Sequence, residues 1–343
     1  MLNLVTGGTG HIGNVLVKEL LHRNEKVRVL ILPNEDLTPI ENLDVEIVFG
    51  NVCDVDSLVP AMVGVDYVYH LAGIVSILSG SDPLVTDVNV RGTQNIVKAA
   101  HEAGVKKMVY TSSIHAFKRM PHGITIDEEI PIDPKENLAA YDHSKAEATL
   151  AVIAETKKGF PAVIVCPTGV LGPYDFKGSE LGVLVDGWLS NNINFLIDGE
   201  YDFVDVRDVV QGMIKAREKG RIGQIYILSG HLIRVIDLWH LVKELVQYPA
   251  RMINIPTRLA SFVAWFAEKY FVLTHTKPSL TPYSVATLHT NAVISNAKAC
   301  SELDYSARST RETIIDTILW WQNSKRNQIV NSSHRHKKTS QGQ

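Results

Sequence analysis

The sequence has only three cysteines, Cys53, Cys166 and Cys300, an odd number set far apart, with no Cys-x-x-Cys or His-Glu-x-x-His spacing. That pattern excludes a disulfide framework and offers no zinc-type ligand set, so the thiols are read as reduced in a cytoplasmic chain and no metal is expected. Long apolar runs are also missing. The most apolar stretch, Leu259 to Ala267, is nine residues long between Arg258 and Glu268-Lys269, whereas a membrane-spanning helix needs about 20. No integral membrane segment is expected. The stretch is read as a helix packed in a second domain, with a membrane-surface or lipophilic-substrate role as the alternative. The chain opens directly on a strand-like run, without the basic and apolar regions of a secretion signal. An excess of one charge sign is lacking too: the net charge is -3 and the charges are dispersed, which argues against nucleic acid as a partner. The exception is the end of the chain, where Lys325-Arg326 and His334 to Lys338 carry no acid; residues 323–343 are read as a disordered basic tail.

What the sequence does have begins five residues in. Leu2 to Val5 is a short strand-type run, Thr6-Gly7-Gly8-Thr9-Gly10-His11-Ile12-Gly13 follows it, and helical spacing starts at Ile12. A strand, a glycine turn and a helix N-terminus form the phosphate-binding arrangement. Gly7 permits the tight turn, Gly10 lets the backbone approach a pyrophosphate, and Gly13 lets the helix pack against the strand. Strand-like runs recur at Val27–Leu32, Val45–Phe49, Tyr67–Ala72, Lys107–Ser113 and Pro161–Cys166, with helical periodicity between them. Such alternation implies an α/β fold, a doubly wound parallel sheet of Rossmann type. At 343 residues the chain has room for a second domain. Residues 1–166 are assigned to the nucleotide-binding domain and 167–322 mainly to a smaller, interleaved substrate-binding domain. Residues 196–229, which include the strand-like Gln224–Leu228, return to the first.

One tyrosine of eleven, Tyr141, has a lysine four residues on, Lys145, within a helix-forming segment. Residues at i and i+4 share a helix face. A neighbouring ammonium favours the phenolate and makes a tyrosine of ordinary pKa about 10 a usable acid or base. Thr111-Ser112-Ser113 closes a strand-like run, at the strand end that faces the ligand crevice of a doubly wound sheet. A hydroxyl there can hold a substrate oxygen on which charge develops.

Taken in order, Thr6 to Gly13, His70-Leu71-Ala72-Gly73, Asn89 to Asn95, Tyr110 to Ser113, Tyr141 to Lys145, Pro167 to Pro173 and Val204 to Val209 resemble the extended short-chain dehydrogenases/reductases. This is the NAD-dependent epimerase/dehydratase group, and the look is nearest to bacterial dihydroflavonol 4-reductase-like proteins. The resemblance implies that Tyr141 is the acid/base, that Lys145 holds the nicotinamide ribose, and that Ser113 rather than Ser112 orients the carbonyl. It implies an NAD or NADP site made by Gly7, Gly10, His11, Ile12, Gly13, Asn51, Val52, Leu71, Ala72, Gly73, Asn89, Tyr141, Lys145 and Pro167, with Asn89 either in a water relay or in a packing hydrogen bond. A homodimer through Rossmann-domain helices is a further family expectation.

Two departures stand out. Leu32 occupies the strand end where the family carries an acid for the ribose 2′-hydroxyl or an arginine for a 2′-phosphate, and Asn51 replaces an aspartate that accepts from adenine. The cofactor preference is therefore unspecified. Ile114-His115 follows Ser113 where sugar-nucleotide dehydratases carry Asp-Glu, and Cys166-Pro167-Thr168-Gly169 stands where epimerases carry an asparagine. His115, Phe117 and Tyr174 are the expected substrate-pocket residues, suited to an apolar compound. The resulting expectation is reduction of a ketone or aldehyde, or oxidation of a secondary alcohol. Nucleotide-sugar epimerisation through a 4-keto intermediate is the alternative, and a non-enzymatic NAD(P)-sensing protein a further one.

Overall fold

A computed structural model describes residues 1–136, 139–190, 192–246, 250–274 and 280–339, with side chains in the last helix described as far as residue 324. Six strands come from the first half: β1 (Leu2–Thr6), β2 (Lys26–Ile31), β3 (Glu46–Phe49), β4 (Tyr67–His70), β5 (Lys107–Thr111) and β6 (Ala162–Pro167). They alternate with helices α1 (His11–His22), α2 (Val55–Met62), α3 (Pro83–Thr86), α4 (Gly92–Glu102) and α5 (Ala140–Thr156). The second half adds β7 (Gly169–Leu171), α6 (Glu180–Ser190), β8 (Ile193–Ile197), β9 (Glu200–Asp205), α7 (Val206–Lys219), β10 (Ile225–Leu228), β11 (His231–Arg234), α8 (Val235–Val246) and β12 (Arg251–Ile255). Helices α9 (Thr257–Thr274), α10 (Pro282–Thr287), α11 (Ala297–Leu303) and α12 (Thr310–Thr339) complete the chain.

Seven strands form one parallel sheet in the order β10-β6-β5-β4-β1-β2-β3. Runs such as Ala162 to Pro167, buried at every position, suit a sheet covered on both faces. On one face α2, α4 and α5 enclose Leu58, Ile96, Val97 and Val152 with the strands. On the other, α1 and α7 pack Leu16, Leu20, Val209 and Met213 against Val5, Val29 and Val165. The strand order reverses between β1 and β4, and ligand crevices open at such switch points. The fold is thus the doubly wound Rossmann sheet with a smaller interleaved unit, whose β11-β9-β7 and β12-β8 sheets share a core around Trp188, Leu238 and Trp239.

Helical backbone in α12 runs to Thr339, into the stretch 323–343 set aside above as a disordered tail. No glycine or proline interrupts residues 310–339; residues 340–343 lie outside the described residues. Helix α9 also differs from its reading as a packed helix. Among its described side chains it buries a small face, Ala260 and Ala264 against Val285, and leaves Leu259, Phe262, Trp265 and Phe266 outside. Among the described residues no helix is long and apolar enough to cross a membrane.

Candidate active site

The glycine loop is shaped by close backbone packing. Gly7 has φ +73°, and a Cβ there would lie 2.8 Å from the Ala72 nitrogen, so β1 and β4 meet at this point. At Gly13 a Cβ would come within 2.1 Å of the Gly7 carbonyl, which binds α1 tightly to the loop. Around Gly10 a Cβ would meet only the Gly7 carbonyl at 3.2 Å; the space beyond is open. Gly10 is also the N-cap of α1 and supplies no side-chain cap, so first-turn N–H groups remain for an anion. These features fit the diphosphate of a dinucleotide. His11 does something the sequence did not show: its Nε2 hydrogen-bonds the Pro173 carbonyl at 3.0 Å, and Asn14 Nδ2 donates to the Tyr174 carbonyl at 3.0 Å. The loop after β7 is thereby fixed to the start of α1. Ile12 is partly buried and packs against the α1 side of the sheet.

The remaining cofactor-side residues divide. The Thr6 hydroxyl accepts from the Leu71 and Ala72 amides at 3.2 and 3.1 Å, aligning the strand end that leads into Gly73. Gly73 faces Asn89 and Lys145, with a built Cβ 2.9 Å from Asn89 Oδ1 and 3.6 Å from Lys145 Nζ. Asn89 accepts from the Ile74 amide at 2.8 Å and donates to the Ile74 carbonyl and Ser144 Oγ, each at 2.9 Å. Its amide is committed to packing of the β4 loop on α5. Asn51 uses its side-chain oxygen to accept from the Cys53 amide at 2.9 Å, so that oxygen is engaged before any adenine arrives. Val52 is buried against Gly92, and Pro167 ends β6 opposite Leu228.

Glu35, in the loop whose path the sequence leaves open, supplies an acid at the β2 end. Its carboxylate folds back to accept from the Leu32 amide at 3.1 Å and from the Thr9 hydroxyl, and it pairs with Lys177 at 2.8 Å. An acid therefore stands beside the glycine loop although the strand itself ends in Leu32. Asn34, at φ +66°, turns the chain so that it can.

Helix α5 and the end of β5 bring the candidate catalytic groups together. Ser112 Oγ is used by Thr149 at 2.5 Å inside the packing. Ser113 instead faces Tyr141, whose hydroxyl pKa burial pushes up to about 12, a rise the Ser113 hydrogen bond partly offsets. This direction is opposite to the lowering expected from Lys145. The lysine points its ammonium at the Thr111 carbonyl, 2.9 Å away, and over the Tyr110 ring at 5.4 Å; burial lowers its pKa to about 8.

Behind Tyr141 lies a buried polar network. The rings of His115 and Tyr141 are 6.3 Å apart, edge to face. Tyr283 donates its hydroxyl to Asp142 Oδ1 at 2.6 Å, and Arg119 donates to Asp142 Oδ2 at 2.8 Å. Since the Tyr283 proton is spent on Asp142, its oxygen can only accept from His115 Nδ1, 3.4 Å away. His115 Nε2 then accepts from the Tyr201 hydroxyl at 2.7 Å. Burial, more than the opposing pull of Asp142, lowers the His115 pKa, so the ring is neutral at pH 7. His115, Phe117 and Tyr201 also line a pocket of about 250 Å³. Tyr174 is not brought to this cluster. Its ring lies under the Lys18 ammonium, 4.1 Å away, and edge-on to Trp320, on the α1 side of the sheet. Asp142 could have been suspected from its place next to Tyr141. Tyr283 had no local signal at all, being 141 residues further along the chain.

Comparison with known proteins follows the same outline. The model of the NAD dependent epimerase/dehydratase family matches residues 3–229. The chain is 33% identical over 324 residues to Sterol demethylase protein B of Methylococcus capsulatus, covering 94% of this chain and 98% of that one. It is 29% identical to a putative dihydroflavonol 4-reductase of Synechocystis, covering 93% and 94%. The expected nearness to dihydroflavonol 4-reductase-like proteins is thus met only in part, because the first identity is the higher. Among solved structures, gox2253 matches with TM-score 0.82 at 31% identity, covering 94% of this chain and 98% of that one. The dTDP-glucose 4,6-dehydratase DesIV of Streptomyces venezuelae, crystallised with NAD, matches with TM-score 0.76 at 21% identity over 94% and 97%, a likeness of fold.

Proposed function

The chain belongs to the NAD-dependent epimerase/dehydratase family, and from that premise we propose that it carries out reversible hydride transfer at a secondary carbinol or ketone carbon, with Tyr141 as acid/base. The coarse class, NAD(P)-dependent oxidoreductase and epimerase/dehydratase chemistry, follows from the family and the cofactor from the fold. The observation that carries the finer reading is the meeting of Ser113, Tyr141 and the buried Lys145 at the carboxyl end of β5.

The nicotinamide, when bound, supplies or accepts the hydride. Ser113 donates to the substrate oxygen and holds it toward the phenol. Tyr141, its pKa raised first of all by burial, keeps its proton at neutral pH and acts as the acid that protonates the oxygen during reduction. In the reverse direction the phenolate oxygen left on Tyr141 takes the proton from the alcohol as the hydride departs. Lys145, pinned by the Thr111 carbonyl, presents its amine toward Gly73, where the ribose would lie.

Two net reactions use this half-reaction. The family description and the nucleotide-sugar epimerases and dehydratases among the solved structures favour epimerisation through a 4-keto intermediate. For net reduction of a ketone the support is the absence of an Asp-Glu pair after Ser113, where Ile114-His115 stands instead; the pocket beside it mixes Phe117 and Tyr201 with Lys118 and Arg119 and selects neither substrate class. Purified protein assayed with NADH and NADPH against apolar ketones, and in parallel with nucleotide sugars, separates them. Net reduction consumes reduced nicotinamide; epimerisation interconverts the sugars with retained cofactor and no net change in nicotinamide absorbance. In either case Tyr141→Phe is expected to lose at least about 100-fold in turnover while still binding cofactor. Cofactor binding with no turnover of either class leaves the sensor reading, and an active Tyr141→Phe variant ends the role given to Tyr141.

A further inference from the structure

Helix α9 is amphipathic in the unusual sense. Its small face, Ala260 and Ala264, is buried, while Leu259, Phe262, Trp265, Phe266, Tyr270 and Leu273 are between 48% and 81% exposed. Phe266 joins Phe262 and Trp265 at ring distances of 5.0 and 4.7 Å, so the exposed groups form one patch rather than scattered residues. A patch of this kind marks an interaction surface.

We propose that α9 docks the protein on an anionic lipid surface, with the entrance to the candidate site beside the point of attachment. The charges select this occupant. Glu268 is the single acid of the helix, and it is turned inward to accept the Ser79 amide at 2.6 Å. Arg258 and Lys269 are the cations of the helix, and Lys269 lies over the Trp265 ring at 3.5 Å. Exposed apolar groups, interfacial Trp and Tyr, and cations without free acids are the combination that binds anionic headgroups in the plane of a membrane. A two-fold contact between copies through the same face would set cations against cations.

Continuity with the site supplies the orientation. Ser79, held by Glu268, bridges to Ala139, the N-cap of α5 and two residues before Tyr141. Just beyond α9, Thr281 donates to the Ile77 carbonyl at 2.7 Å and Tyr283 reaches Asp142. On either side of the tied residues Ile77 and Ser79, Val75 and Leu84 are also exposed. A lipophilic substrate leaving a bilayer at α9 would reach the Tyr141 entrance without crossing open water. The docking itself rests on the patch, independently of the catalytic reading.

Vesicle flotation tests it without any substrate. The full-length protein is expected to float with phosphatidylcholine/phosphatidylglycerol vesicles and about fivefold less per cation with phosphatidylcholine alone. Trp265 emission should shift to the blue. Phe262→Gln together with Phe266→Gln is expected to lower the bound-to-free ratio at least about tenfold while cofactor binding, followed by nicotinamide fluorescence, is unchanged. Absence of flotation on either vesicle, or equal flotation of the double variant, overturns the proposal. So does a concentration-dependent dimer, seen by light scattering, that the double variant abolishes, since the face then belongs to a second copy. A protein that floats yet turns over neither ketones nor nucleotide sugars leaves the docking standing and removes the function proposed above.

Discussion

Glu35 shows how a single side chain can restore what its strand leaves out. The family position at the end of β2 is Leu32, yet the Glu35 carboxylate returns to the Leu32 amide and the Thr9 hydroxyl at the edge of the glycine loop. A carboxylate there accepts from a ribose 2′-hydroxyl and repels a 2′-phosphate, so the protein should prefer NADH to NADPH. Lys177, paired with Glu35 at 2.8 Å, moderates that repulsion. Glu35→Gln should narrow the preference by about tenfold or more, read as the ratio of the two dissociation constants; an unchanged ratio would remove Glu35 from cofactor selection. The sequence shows this acid but not where it points, because the path of the turn depends on the positive φ of Asn34. Gly7 and Gly13 are readable for the opposite reason: a positive φ at Gly7 and the Gly7 carbonyl that a Cβ on Gly13 would strike are both set within one short motif. Tyr174 was misplaced because an aromatic residue in a glycine- and proline-rich loop says nothing about which side of the sheet the loop takes.

At the scale of elements, α5 carries Tyr141 and Lys145 toward the crevice while its neighbour Asp142 holds the helix to two other segments. The fully buried Asp142 binds Arg119 from the loop after β5 and Tyr283 from α10. Asp142→Asn should keep the Tyr283 hydrogen bond and lose the ion pair. Because Arg119 is itself partly exposed, the expected loss is about 2–4 kcal/mol, less than for a wholly buried pair. A lower urea midpoint at unchanged slope would show it; an unmoved midpoint would mean the pair is not a tie. Most strands and helices of the first half are legible because each buries an apolar run or stripe within its own sequence, as β6 and α1 do. The α5–α10 tie was not, because contacts between segments so far apart leave no periodic trace.

For the whole molecule, the buried lysine makes stability depend on pH. Lys145 has an ordinary pKa of 10.5 that falls to about 8 in the folded chain. Between those values the unfolded chain binds more protons, so this group's contribution to stability rises with pH, and its penalty is complete below about 8. Lys145→Met should therefore be more stable than the wild type at pH 7 by roughly 1–3 kcal/mol, reduced by the loss of a donor to the Thr111 carbonyl. The difference should shrink as the pH approaches 10.5, and chemical denaturation at several pH values would measure it. A variant no more stable at pH 7 would mean that the ammonium is better solvated than its surroundings suggest.

The same sheet has an order of assembly written into it. β10 pairs with β6 at the sheet edge, but β7, α6, β8, β9 and α7 are made in between. During translation the β6 edge must wait, its backbone groups unpaired, until residues 225–228 leave the ribosome. A chain stopped at the end of β6 would contain every proposed catalytic residue and still present an open, apolar strand to its neighbours. Dividing this protein into an expressible cofactor half and substrate half would thus yield aggregate rather than a smaller domain.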